Sequence, residues 1–288
     1  MPDYTREEIK ATRDLRYHRT PALRVRTEEE ARCFVDEVGF CFLFGDKSVE
    51  MPTLWGAVCG ARRAVPNHHH DADLGRTWSW KDSLPSRGEI YYGKLLRGKP
   101  TLVSLELLPH FYALSPNYGD IEDYIEEYQS GKLTVEAKNV YEALMREGAM
   151  ATSRLRQLAG LAGGGTNARR FDRALKELQM EFKIVKVGIS EASRWGYAYV
   201  YDLFLRRFPE LPEVARKIST DQAMDTLLLR HLYNVVAQPE KALQRLFRWD
   251  DWEWERLVER LADRGLIRRD VIIEGLRGPC LVDEVVEP

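Results

Sequence analysis

The 288-residue chain reads as mainly α with small β-hairpins, an α+β class, and three observations predict it. From Thr134 onward, apolar residues recur at helical spacing in three short stretches, and two alternating stretches follow. The same plan returns more loosely over 219–286. Glycines and capping residues punctuate both segments where helices should end. Three helices followed by a two-stranded hairpin make a helix-turn-helix with a wing. Tandem winged-helix (helix-turn-helix) domains are therefore expected, with boundaries at 1–131, 132–210 and 211–288.

The first thirty residues are polar, with TPALRVRT at 20–27 as one anchor. Thr27, followed by Glu28, Glu29 and Glu30, predicts a helix start, because a side-chain oxygen satisfies orphan amides and carboxylates oppose the positive end of the dipole. That helix runs through Ala31, Phe34, Val35 and Val38 to Gly39. The apolar run 40–44 suits a buried strand or loop, and 51–66 suits a helix between prolines. Residues 67–75 read as a His/Asp loop. The aromatic stretch after it alternates like a strand towards its end and leads into a short helix. Residues 120–129 form a short acidic helix.

The central pattern is cleaner. Thr134 caps a helix with the stripe Val135, Val140, Ala143 and Leu144, ending at Gly148. Thr152 caps a second, which Gly163, Gly164 and Gly165 break. Asn167 caps a third with Phe171, Ala174, Leu175 and Leu178 on one face, and the strands KIVKVGI and YAYVYDLF follow. In the last segment, 219–233, 239–247 and 250–264 are helical, and LIRRDVII and GPCLVDEV form an acidic hairpin suited to packing rather than binding.

The net charge of −2 conceals an uneven distribution. Residues 132–209 hold 14 Lys/Arg against 8 Asp/Glu, a net of +6, which leaves −8 for the rest of the chain. A cationic block favours a polyanionic partner, double-stranded DNA, whatever the total charge. No apolar run reaches the ~20 residues of a membrane helix, and the charged N-terminus lacks a secretion signal, so no membrane partner and a cytoplasmic location are expected. Cys33, Cys41, Cys59 and Cys280 form no C-x-x-C pair, which excludes a zinc knuckle or disulfide framework. No phosphate-binding loop, dinucleotide fingerprint or nucleophile elbow is present, so no cofactor and no nucleotide are expected. The absence of a dimerisation helix suits a monomer.

The third central helix carries Arg169, Arg170, Arg173 and Lys176 away from its apolar stripe. Such a helix enters the major groove, where the guanidinium fork suits guanine edges and phosphates. The bland alternative is a solvated face. Arg194 and Trp195 in the wing loop can grip a phosphate and stack, or fold back on the hairpin. The run His68, His69, His70, Asp71 and Asp73 looks metal-like, but adjacent histidines cannot all face one ion and no spaced partner completes a site, so no metal is expected. Trp78, Trp80, Lys81, Asp82, Tyr91 and Tyr92 lie close in sequence. They suit an aromatic pocket for a flipped base, or equally an aromatic core with a Lys81–Asp82 ion pair.

These segments carry a resemblance. LW at 54–55 with WSWKDSLP at 78–85, the central TSRLRQL and FDRALKELQMEFKIVKVGISEASRWGYAYVYDLFLRRFP, and WDDWEWERLVERLADRGLIRRDVIIEG resemble the bacterial tandem winged-helix DNA glycosylases of the AlkZ/YcaQ type. The resemblance implies DNA repair and a monofunctional glycosylase acting on alkylated purines or crosslinks. It also implies a glutamine-x-glutamine or glutamine-x-aspartate pair just after the first helix, which holds water and stabilises the sugar cation. The stretch here is GFCFLFGD at 39–46, without glutamine, so the catalytic residues are not assigned; Asp46, Glu50 and Asp82 are the candidate carboxylates. DNA binding by a glycosylase relative without its usual catalytic pair is the first expectation. An active glycosylase with relocated groups and a transcription regulator or sequestering protein are the others.

Overall fold

The computed structural model describes residues 5–46, 48–68, 70–190 and 198–284. Helix α1 (Arg6–Arg16) opens on a Thr5–Glu8 capping box. Then follow α2 (Glu28–Val38), β1 (Phe40–Phe42), α3 (Leu54–Cys59), α4 (Ala72–Arg87), β2 (Tyr91–Lys94), a 3₁₀ turn at Leu96–Gly98 and β3 (Pro100–Val103). Helices α5 (Leu108–Ala113) and α6 (Asp123–Gln129) lead into α7 (Val135–Glu147), β4 (Met150–Ala151), α8 (Thr152–Leu158), α9 (Thr166–Met180), β5 (Ile184–Ser190) and β6 (Ala198–Leu203). Short helices α10 (Phe204–Arg207) and α11 (Leu211–Ala215) connect to α12 (Thr220–Val235), β7 (Ala237–Pro239), α13 (Glu240–Phe247), α14 (Asp251–Asp263), β8 (Ile267–Val271) and β9 (Cys280–Asp283).

The order helix, strand, two helices, two strands thus occurs three times, and the strands pair alike each time. The sheets run β1-β3-β2, β4-β6-β5 and β7-β9-β8, all antiparallel. In each, the strand after the first helix joins the outer side of the closing hairpin. The first repeat is therefore as regular as the other two, although its hairpin is the hardest to see in the sequence.

Local chemistry explains most boundaries. Thr27 and Glu30 cap α2 reciprocally, and Gly39 ends it at φ 77°. A side chain there would meet Leu107 Cδ1 at 2.5 Å as well as strained backbone. Three starts differ from the sequence reading. Helix α4 begins inside the expected His/Asp loop, because Asp71 accepts from the amides of Asp73 and Leu74, and Leu74, Thr77, Lys81 and Leu84 form one buried stripe. Thr152 lies within α8, behind Ala151, and makes no side-chain cap. Helix α9 starts at Thr166 behind Gly165, while the Asn167 amide donates to the Ala162 carbonyl.

The main core belongs to no single repeat. Tyr91 of β2, Tyr112 of α5, Phe182 and Phe204 meet with ring centroids 5.3–6.1 Å apart. The same apolar cluster continues through Leu227, Leu228 and Leu232 of α12 to Trp254 and Leu257 of α14. Smaller cores lie under α7–α9 and between α2, α3 and α4. Helix α1 is fastened to the third repeat by cations. Arg13, 8% exposed, donates to the carbonyls of Val235 at 2.8 Å and Ala237 at 2.5 Å, and Arg16 donates to that of Tyr233.

Replacing Arg13 strands buried carbonyls and removes a packed side chain. Arg13→Ala is expected to lower stability by about 2–3 kcal/mol, read by urea denaturation; a fall below about 0.5 kcal/mol would show that α1 is not held in this way.

Candidate functional site

A cleft lies at the junction of the first repeat with α1. It consists of two adjoining cavities of about 580 and 450 Å³ that share Glu50 and Arg62. Arg6, Lys10 and Arg13 come from α1, Arg19 from the connection between α1 and α2, and Arg62 and Arg63 from the loop after α3. Glu50 sits between Arg19 at 3.4 Å and Arg13 at 3.9 Å. The Tyr17 hydroxyl is buried without a hydrogen-bond partner among the described residues. Burial pushes it well above the usual phenol range, and it also feels the charges of Glu50, Arg13, Arg19 and Arg62. Asp46 lines the same cleft. Its carboxylate accepts from the Ser48 hydroxyl at 2.5 Å and amide at 2.8 Å and faces Lys99 at 3.3 Å. Those Ser48 bonds first, then Lys99, hold it at about 2. Asp46 is thus a fixed negative charge, whereas Glu50 is one-third exposed and faces the cavity.

The aromatic stretch makes a second centre, and the structure divides the residues that the sequence grouped. Tyr91 belongs to the shared core and Trp80 to the core of the first repeat. Trp78 is 38% exposed. Lys81 is fully buried in α4, with its ammonium 2.5 Å from Asp82 and 4.4 Å from the Trp78 ring centroid. A second buried cation, Lys186 of β5, binds the same Asp82 oxygen. Tyr92 and Tyr199 complete the walls, with Lys186 Nζ 4.9 and 4.4 Å from their centroids. Two ammoniums therefore share one carboxylate among three π faces. Desolvation, with the neighbouring Lys81 charge, pushes Lys186 down to about 8; desolvation also lowers Lys81.

This centre joins α4 to β5. Asp82 binds both ammoniums through the same oxygen. Phe44 connects the two centres, with its ring 6.2 Å from Trp55 at the cleft and 5.7 Å from Trp78. Lys186 and Tyr199 were not singled out in the sequence. Their signal was a lysine at a core phase: Lys81 interrupts the stripe 74, 77, 84, and Lys186 lies in a strand that reads as apolar.

The other expected residues are placed as follows. Arg169, Arg170, Arg173 and Lys176 all lie on the exposed face of α9. Arg170 pairs with Glu136 at 2.5 Å. Arg169, Arg173 and Lys176 have no carboxylate partner within 4.0 Å among the described residues. Arg194 and Trp195 lie outside the described residues. In the His/Asp segment, Asp71 caps α4 and pairs with Arg63, and Asp73 binds Arg24, Arg63 and Arg76. Both carboxylates are thus engaged by arginines. His68 and His70 are exposed, and His69 lies outside the described residues.

A profile of the family described as AlkZ related matches residues 25–248, more than three-quarters of the chain. The chain belongs to the AlkZ-related family. The structure of Streptomyces sahachiroi DNA glycosylase AlkZ is similar to it, with a TM-score of 0.56 at 14% identity, over 98% of this chain and 70% of that one. No curated protein matches the chain in sequence. In this AlkZ-related protein the strand after α2 is wholly core. Phe40, Cys41, Phe42 and Leu43 are at most 1% exposed, and Phe40 packs edge-on against Phe111 and alongside His231. Nothing on that strand can orient water. Among the described residues no helix is long and apolar enough to cross a membrane.

The lysine pair makes stability depend on pH in a defined sense. The folded state releases the Lys186 proton near 8, the unfolded chain near 10.5. Between those values the unfolded chain binds more protons, so stability rises with pH. Moving from pH 7.5 to 9.5 is expected to add about 2 kcal/mol relative to the same shift in Lys186→Met. Parallel pH profiles of the two proteins would contradict the assignment.

Proposed function

We propose that this AlkZ-related chain is a tandem winged-helix protein that binds double-stranded DNA, with the domains 1–131, 132–210 and 211–288 as its three winged helices. Three repeats of one helix and strand order support the winged-helix reading. A difference among the three third helices carries the DNA reading. Helix α4 is packed against β5 through the lysine centre. On α14, Arg256, Arg260 and Arg264 are taken up by Asp221 and Asp225 of α12. Helix α9 alone of the three presents a run of exposed cations mostly free of carboxylates. A third helix with its first turns basic is the element that enters the major groove, and phosphates lock its register. The protein of known structure that resembles this chain is named a DNA glycosylase, which points to DNA repair rather than transcriptional control.

The cleft supports a second reading, an active glycosylase that breaks the N-glycosidic bond of an alkylated or crosslinked base. Glu50 would orient or deprotonate the attacking water, and the permanently charged Asp46 would stabilise the sugar cation as the base leaves. Both carboxylates line one cavity with basic walls, an arrangement suited to a backbone held on either side of a reacting sugar. Asp82 takes no part. The reading of DNA binding without turnover differs from this one only in the cleft.

Duplex DNA titrated at several salt concentrations is expected to bind with an affinity that falls steeply with salt. Reversing Arg169, Arg170 and Arg173 to Glu should weaken binding at least tenfold on every duplex sequence and flatten the salt slope by about 0.9 for each phosphate no longer neutralised. Binding absent from the native protein, or indifferent to salt, refutes the reading. Incubation with alkylated duplex separates the two versions. Abasic sites that form with the native protein and fall at least a hundredfold with Glu50→Gln (about 2.7 kcal/mol of barrier) establish turnover; no abasic sites establish binding alone.

A further inference from the structure

A second cationic site adjoins the α9 face and the Glu50 cleft, where the turn carrying Arg97 meets the turn between α13 and α14. The cavity is about 520 Å³ and is lined by Arg97, Lys241, Arg245, Arg248, Trp249 and the single acid Asp251, with Gln244 between them. Lys241, Arg245 and Arg248 are exposed and have no carboxylate within 4.0 Å among the described residues. Five other arginines of the third repeat, Arg256, Arg260, Arg264, Arg268 and Arg269, are ion-paired. Four cations against one acid in a concavity repel one another, and Lys241, Arg245 and Arg248 have no carboxylate partner among the described residues.

Two of the four also sit in costly backbone conformations. Arg97 has φ 55° and ψ 19°, and Arg248 has φ 60° and ψ 32°. Both are left-handed at non-glycine positions, Arg248 as the C-cap of α13. They belong to different repeats and line the same cavity. Lys176 of α9 lies across Gly98, so close that a Cβ there would fall 1.8 Å from its Cε. Cations from all three repeats therefore converge on one turn. Arg97 also donates to Ser48 and lies 3.9 Å from Asp46 at the Glu50 cleft, so the surface continues from the cleft to this cavity. Trp249, stacked on Phe247 at 4.4 Å, forms an aromatic wall.

We propose that this junction is a phosphate-binding site for the backbone of a DNA strand, with Arg245, Arg248 and Lys241 on the phosphates and Trp249 against sugar or base. It rests on the DNA-binding reading and adds a contact that the basic central block does not contain. The acidic third repeat thereby becomes a DNA-contacting part of the molecule through one turn. Guanidinium and ammonium donors converging on a concave site suit the tetrahedral oxygens of a phosphodiester, and a neighbouring tryptophan suits a strand rather than a free ion.

The test compares Lys241→Ala/Arg245→Ala with Arg256→Ala/Arg264→Ala, which removes the same charge from ion-paired positions of the same repeat. Binding of a fluorescent duplex is measured over a range of salt. The first variant is expected to bind at least tenfold more weakly, with a salt slope lower by about 1.8, while the second keeps the native slope. Equal slopes in all three proteins, or equal weakening in both variants, overturn the site while the α9 reading stands. A native protein that binds no DNA overturns both. Displacement of DNA from the native protein by polyglutamate at equal charge concentration, undiminished by salt, assigns the surface to an acidic protein and also overturns the proposal.

Discussion

Tyr91, Tyr112, Phe182 and Phe204 pack where the repeats meet, and the arrangement of every functional group depends on that packing. A repeat of this kind is too small to bury enough apolar surface alone. Rings from the first and second repeats, continued by leucines and Trp254 of the third, supply one core in common. Because that core is close-packed, the repeats cannot swing independently. The α9 face, the Glu50 cleft and the Arg97 turn are therefore held in fixed relation.

Charge is divided between structure and surface. Most arginines are committed to structure: Arg13 and Arg16 fasten α1, Arg24 and Arg63 hold the start of α4, and Arg260 and Arg264 join α14 to α12. What distinguishes a binding surface here is the absence of a carboxylate beside a cation, not the number of cations. Two lysines are used in the opposite way, buried about one aspartate with aromatic rings supplying the remaining attraction. Removing Asp82 would leave the two buried ammoniums without a counter-charge.

Most of the helices could be read from the chain. Threonine or serine caps followed by a glutamate or glutamine, as at Thr27 and Ser219, are local signals that survive any tertiary context. So does the central basic block. Helix α4 was hidden by its composition, because tryptophans, a proline and a lysine at a core position disguise its stripe. Helix α1 had its own Thr5–Glu8 signal, but its purpose depends on carbonyls more than 220 residues away.

The sequence by itself determined the mixed helix-and-hairpin class, the cationic middle and the lack of a polar pair after α2, since these follow from local periodicity, capping and residue identity. Only the tertiary structure decided which charges are available. Asp82 and Lys81 are neighbours in the chain, and the distant Lys186 binds the same Asp82 oxygen. Arg248 and Arg97 are unremarkable in sequence and become one site because two turns from different repeats share a cavity. Pairing and desolvation are set by neighbours in space, and with strands and helices from three repeats meeting, those neighbours are seldom neighbours in the chain.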